Sequence, residues 1–158
     1  MLRILFVCHG NICRSPMAEC ILKDMVKKRG WEQAFRIRSC ATSAEEIVDG
    51  RGNPVYPPAR RELLRHGIDP GGKRAVQLTR ADYDSYDHLI GMDARNLRAM
   101  DRILGGDPAC KISLLLAFTG ENRDVDDPWY TGDFAAAYED IARGCGALLN
   151  RLIQTGRV

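Results

Sequence analysis

The sequence has no apolar run long enough to span a bilayer, and the apolar stretch Ile4 to Val7 near its start is too short for the core of a signal peptide. A cytoplasmic protein with no membrane partner is expected. It also has no charge of one sign in excess: 23 Lys and Arg stand against 21 Asp and Glu. That balance argues against a nucleic-acid or membrane-surface partner, so any anion preference must be local. Repeats, linkers and low-complexity tracts are missing too, and 158 residues with 45% hydrophobic content suit one domain, residues 1–158. The six cysteines, Cys8, Cys13, Cys20, Cys40, Cys110 and Cys145, are scattered rather than arranged as a disulfide framework, which predicts mostly buried free thiols. Cys8, His9, Cys13 and Cys20 lack the paired spacing of a structural zinc site, so no metal is expected.

What is present alternates between strand and helix. Leu2 to Val7 and Leu89 to Met92 read as buried strands, Arg36 to Ala41 as a second strand and Lys111 to Leu116 as the fourth. Ser15 and Pro16 read as N-cap and first residue of a helix that ends at Lys27 to Gly30. Pro57-Pro58 opens another that His66-Gly67 closes. Thr79 to Asp82 has capping-box form, and Asp93 caps a helix through Leu97 and Met100. The last helix starts near Asp133, with Gly144 and Gly146 weakening its middle. Thr42 to Val55, polar and rich in glycine, reads as a long surface loop, and Ala75 to Leu78 as a short extended piece. The class implied is α/β: a three-layer open sheet of four parallel strands with helices on both faces, its ligands bound beyond the strands' carboxyl ends.

The first strand runs straight into Cys8-His9-Gly10-Asn11-Ile12-Cys13-Arg14-Ser15-Pro16. Backbone N–H groups entering a helix converge on phosphate oxygens, Gly10 and Asn11 tolerate unusual backbone angles, and Arg14 can grip two oxygens through its planar fork. A cysteine at a helix N-terminus beside a cation favours its nucleophilic thiolate form. Cys8 is therefore the candidate nucleophile, Ser15 a hydrogen-bond partner for its sulfur, and His9 a rim residue. Cys8 without these neighbours would read as an inert core thiol.

Expelling an alkoxide or phenoxide needs a proton donor, and Val125-Asp126-Asp127-Pro128-Trp129-Tyr130 supplies one on a loop stiffened by proline. Asp127 is the candidate acid, with Asp126 next in line. Trp129 and Tyr130 can wall a flat ring, or simply pack as loop aromatics.

Taken together, the Cys-x5-Arg-Ser loop and the Asp-Pro-aromatic-Tyr segment resemble the low-molecular-weight protein tyrosine phosphatases, with Ala41-Thr42-Ser43, His66-Gly67-Ile68 and Met92-Asp93 with Asn96 in family order between them. The resemblance implies the flavodoxin-like fold of the phosphotyrosine protein phosphatase I type. It implies a phosphocysteine intermediate on Cys8, phosphate bound by Arg14, and Asp127 as acid and then base. Asn11 would brace the loop through Ser15 and Ser39, and no metal or organic cofactor would take part. Substrates would be phosphotyrosine proteins or peptides and the product inorganic phosphate, the protein being a monomer or weak dimer. The resemblance also implies a reversible Cys8–Cys13 disulfide, against which simple packing of Cys13 stands as the other reading.

Several positions depart from the family pattern. Ala44, Glu45 and Glu46 stand where many members place an aromatic cleft wall, so Glu45 becomes the wall candidate. Tyr56 can replace that ring or pack before Pro57. The loop is longer than in mammalian members, as in a bacterial subset. Lys73 replaces a common histidine and Val76 a common arginine. Ile12, apolar where phosphoarginine-directed relatives carry threonine, favours phosphotyrosine. Two other functions share the loop: a thiol-dependent arsenate reductase, which would need relay cysteines that Arg80 to Leu97 lacks, and a non-catalytic phosphate-binding module, whose signature would be loss of Cys8, Arg14 or Asp127.

Overall fold

The computed structural model describes all residues from Met1 to Val158. Strand β1 (Leu2–Cys8) leads through the Cys8 to Arg14 loop into helix α1 (Arg14–Lys28). Lys27 and Lys28 occupy the last turn of α1, where cations suit the negative end of the helix dipole. β2 (Phe35–Ala41) follows. The segment expected to be a long loop instead holds a hairpin, β3 (Ile47–Val48) and β4 (Arg51–Gly52). Its turn is Asp49-Gly50, with φ of 51° and 76°, the positive values a two-residue type I′ turn requires. Gly52 packs so closely that a Cβ there would lie 1.8 Å from the Ala75 carbonyl oxygen.

Helix α2 (Pro57–Arg65) starts on its two prolines and ends at His66, with Gly67 in left-handed backbone. α3 (Asp82–Ser85) is a single turn. Thr79 does not cap it: the N–H and hydroxyl of Thr79 both donate to the Asp82 carboxylate, and Ala81 is the N-cap. β5 (His88–Gly91) and α4 (Ala94–Leu104) come next, the helix opened by a full capping box between Asp93 and Asn96. β6 is shorter than expected (Ile112–Leu114), because the chain coils at Leu115 into a 3-10 turn that buries Leu115 and Leu116 and closes on left-handed Gly120. A short α5 (Pro128–Thr131) precedes α6 (Phe134–Gln154), whose N-cap Asp133 accepts the Ala136 N–H at 2.9 Å.

The four long-range strands form one parallel sheet in the order β2-β1-β5-β6. β1 is buried on both faces, which explains its unbroken apolar run. Ile4, Phe6 and Cys8 face the larger core, with Met17, Ile21, Ile141 and Leu148 of α1 and α6, while Leu5 and Val7 face a smaller one with Met100 and Leu104 of α4. Helices therefore cover both faces of the sheet, as the alternation predicted. The chain passes from β1 to β2 on one side and then crosses to β5 on the other, so strand order reverses at β1. The crevice at such a switch point is where open α/β sheets bind ligands, and Cys8 closes the strand that forms it. No helix is long and apolar enough to cross a membrane.

Candidate active site

Cys8 is the last residue of β1 and Arg14 the first of α1, so both ends of the loop are fixed by packed elements. Between them Asn11 adopts left-handed backbone, φ 59°, a region asparagine enters more readily than most residues. Its buried side chain fixes that shape: Nδ2 donates to Ser15 Oγ at 2.8 Å and to Ser39 Oγ at 3.0 Å, and Oδ1 accepts the Val76 N–H at 3.0 Å. Cys8 Sγ lies 2.9 Å from Ser15 Oγ and accepts the Asn11 N–H at 3.3 Å.

Helix α1 begins earlier than the sequence suggested. Cys13, not Ser15, is the N-cap, and no side chain caps this end. The physical reason is the loop itself: the Ser15 hydroxyl is turned inward to Cys8 and Asn11, and the uncapped first-turn N–H groups suit an anionic ligand.

Beneath the loop, Ser39 Oγ donates to Glu19 Oε1 at 2.6 Å. Glu19 is buried and would be costly there unpaired. Lys23 and Lys73 both approach it, Lys73 Nζ at 3.6 Å while also donating to the Ser39 carbonyl at 2.9 Å. Burial lowers the Lys73 pKa, against the pull of Glu19.

Arg14 is 2% exposed. Its Nη1 donates to Asp93 Oδ2 at 2.7 Å and to the Val125 carbonyl at 2.8 Å, whereas Nη2 makes only a 3.4 Å contact with Asp127 Oδ2. Burial works to lower the Arg14 pKa, but Cys8, Asp127 and Asp93 together outweigh it and hold the guanidinium above its ordinary value. The half of the fork nearest Asp127 is therefore the half left for a ligand. Asp127 is itself placed as N-cap of α5, its Oδ1 accepting the Trp129 N–H at 3.0 Å ahead of Pro128. The same cleft, about 120 Å³, is lined by Cys8, His9, Gly10, Asn11, Ile12, Cys13, Arg14, Glu45, Glu46, Asp127, Trp129 and Tyr130.

A buried cysteine at a strand's end, an anchored arginine and a carboxylate across one small cleft are parts for phosphoryl transfer. The family model for low molecular weight phosphotyrosine protein phosphatase matches residues 3–157. The chain belongs to that family. It is 38% identical over 151 residues to the low molecular weight protein-tyrosine-phosphatase YfkJ of Bacillus subtilis, covering 94% of each chain. The crystal structure of that YfkJ superposes with a TM-score of 0.92 at 36% identity, covering 98% of this chain and 96% of the other. DARP, a Drosophila arginine phosphatase, superposes with a TM-score of 0.85 at 30% identity, covering 95% and 97%.

Of the residues singled out from sequence, the loop from Cys8 to Arg14, Glu45, Asp127, Trp129 and Tyr130 line the cleft and Ser15 and Ser39 lie beneath the loop, whereas Asp126, the second-choice acid, lines the adjoining groove instead. Glu45 sits at the rim, paired with His9 at 3.1 Å, both side chains largely exposed. Tyr56 is not a wall. It packs behind Trp129, ring centroids 4.8 Å apart, and so props the wall that Trp129 provides. Cys8 and Cys13 are both free thiols. No group of three or more His, Cys, Asp or Glu side chains is gathered to hold a metal ion.

Sequence reasoning missed three contributors. The sequence marks Asp93 as a helix cap and as part of a segment in family order, but not as the anchor for Arg14 that its second oxygen provides. Glu46 joins Glu45 on the cleft wall. Glu19 carried one usable signal, an acid one helical turn after Ser15 on a face otherwise apolar.

Proposed function

We propose that this chain hydrolyses phosphotyrosine in protein or peptide substrates and releases inorganic phosphate. The observation that carries the reading is that Cys8, Arg14 and Asp127 line one cleft, with Arg14 anchored by Asp93 and the Val125 carbonyl and its other nitrogen in contact with Asp127. The phosphate dianion docks on the loop N–H groups and on Arg14 Nη2, displacing the long contact to Asp127. The Cys8 thiolate attacks phosphorus in line, forming the S–P bond as the P–O bond to the phenoxide breaks. Asp127 protonates that oxygen and tyrosine leaves. Water then attacks phosphorus, Asp127 takes its proton, and the S–P electron pair returns to Cys8, where the Ser15 hydroxyl and the Asn11 N–H stabilise the sulfur. No step requires a metal or organic cofactor.

Phosphoarginine is the competing substrate, because DARP is an arginine phosphatase. Ile12 favours tyrosine: it gives the cleft an apolar wall beside the half-exposed Trp129, a setting for a phenyl ring rather than for a guanidinium with several N–H donors to satisfy. A cytoplasmic setting belongs to the same reading, in keeping with six cysteines that are scattered along the chain rather than spaced as a disulfide framework.

Cys8→Ser is expected to abolish hydrolysis of p-nitrophenyl phosphate while phosphate still binds; an unchanged rate would sink the covalent mechanism. Asp127→Ala is expected to slow turnover of phenyl phosphates by roughly a hundredfold to ten-thousandfold, the usual range for a lost general acid. Wild-type protein offered matched phosphotyrosine and phosphoarginine peptides decides the substrate class.

A further inference from the structure

A groove of about 590 Å³ adjoins the catalytic cleft and shares His9, Arg14, Asp127 and Tyr130 with it. Its outer wall is one face of α4, where Arg95, Arg98 and Arg102 stand at i, i+3 and i+7 and so form a single stripe. All three are exposed. Unlike Arg123 and Arg143, which are tied to Glu121 and Asp140, they have no carboxylate partner. The groove's acids are mostly committed: Asp93 holds Arg14, Asp127 also contacts it, and Asp124 accepts the Ala94 N–H at 3.0 Å. Only Asp126 is free.

Glu45 and Glu46 line the cleft but not this groove, and Glu45 is paired with His9 at 3.1 Å. A substrate chain whose phosphotyrosine fills the cleft and whose flank runs on into the groove therefore passes over unpaired arginines, while the carboxylates Glu45 and Glu46 line the cleft outside the groove. We propose that the α4 arginine stripe is a subsite for anionic side chains on one flank of the phosphotyrosine, so that the enzyme favours substrates acidic on the flank that runs into this groove. This rests on the phosphotyrosine reading given above. The shared chemistry is negative charge, which the substrate can supply as carboxylates or as a second phosphotyrosine.

The test compares kcat/KM for phosphotyrosine peptides with neutral flanks, with three aspartates before the phosphotyrosine, with three aspartates after it, and with a second phosphotyrosine at those positions. One acidic placement is expected to exceed the neutral peptide by roughly three- to tenfold, mainly through KM, the scale of a few exposed ion pairs. The gain should vanish at about 0.5 M salt and in the Arg95→Ala/Arg98→Ala/Arg102→Ala variant. If that variant does not fold, Arg98→Ala alone should lose part of the gain, each preference being a ratio measured within one protein. A larger gain from the second phosphotyrosine would identify a phosphorylated neighbour as the source, and an equal gain from aspartates would identify acidic residues. Equal kcat/KM for neutral and acidic peptides, or a preference that survives the substitutions, overturns the subsite alone. Failure of wild-type protein to hydrolyse even the neutral peptide overturns the phosphotyrosine reading and the subsite with it.

Discussion

Asn11 shows how much of the catalytic loop depends on one side chain. It holds a positive φ, donates to Ser15 and Ser39, and accepts the N–H of Val76. Asn11→Ala removes those three hydrogen bonds and leaves a left-handed backbone that alanine disfavours, a loss of about 2 kcal/mol with net contributions near 1 kcal/mol per bond and partial relaxation. The expected outcome is a lower melting temperature together with a lower kcat, since Ser15 is freed from its place against Cys8. A variant with normal kcat would show that Ser15 and the α1 terminus hold the loop unaided. At this scale the nucleophile, arginine and acid were legible because a loop's chemistry is written in adjacent residues. Of their supports, only the Asn11 brace to Ser15 and Ser39 was anticipated, and that through the family resemblance; the others were not, because Lys73 and Ser39 are 34 positions apart and Arg14 and Asp93 79. The Val76 departure has little consequence here: its side chain is half exposed, and the network uses only its backbone N–H. Lys73 supplies a cation for Glu19 and a donor for Ser39 in one side chain.

Helices and strands were legible where apolar periodicity was long and hidden where tertiary packing set the boundary. The β3–β4 hairpin escaped notice because two-residue strands show no alternation, although Asp49-Gly50 carried the turn signal. β6 stops early because the larger core draws Leu115 and Leu116 out of line with the strand. The two glycines of α6 differ for a related reason. A Cβ on Gly144 would lie 2.5 Å from Leu115 Cγ, whereas one on Gly146 would meet nothing within 4 Å. Both sit in the helix interior, where alanine is favoured over glycine by up to about 1 kcal/mol. Gly146→Ala is therefore expected to raise stability by several tenths of a kcal/mol. Gly144→Ala forces α6 away from the fully buried Leu115, and overpacking of that kind costs roughly 1 to 3 kcal/mol. Urea melts of the two variants should move in opposite directions from wild type. Parallel shifts would mean that α6 slides on the Leu115 turn without cost.

For the whole molecule, the alternation of strands and helices showed an open parallel sheet but not its order, because nothing local to β5 tells it to pair with β1 rather than with β2. That order also decides the fate of His88, placed opposite Ile4 at the start of β5 with its Nε2 buried and unpartnered. Burial lowers the His88 pKa, Arg157 lowers it further, and Asp87 only partly opposes them. The unfolded chain takes up this proton near the ordinary histidine value of about 6.5, while the native state resists it. Between the depressed native pKa and that value the unfolded state binds more protons, so stability is complete above about pH 6.5 and falls as pH drops through the window. The depressed carboxylates Asp87, Asp140 and Glu121 lose their contribution only at lower pH, below the ordinary carboxylate range, so the two effects separate. Replacing His88 with phenylalanine keeps a ring suited to a strand and removes the titration. Thermal melts of wild type should begin to lose stability as pH drops below about 6.5 while His88→Phe stays flatter, and both should fall together once the carboxylates titrate. Equal slopes above the carboxylate range would mean that His88 takes its proton as readily in the native sheet as in the unfolded chain, with a water or a shifted Asp87 as partner for its ring nitrogen.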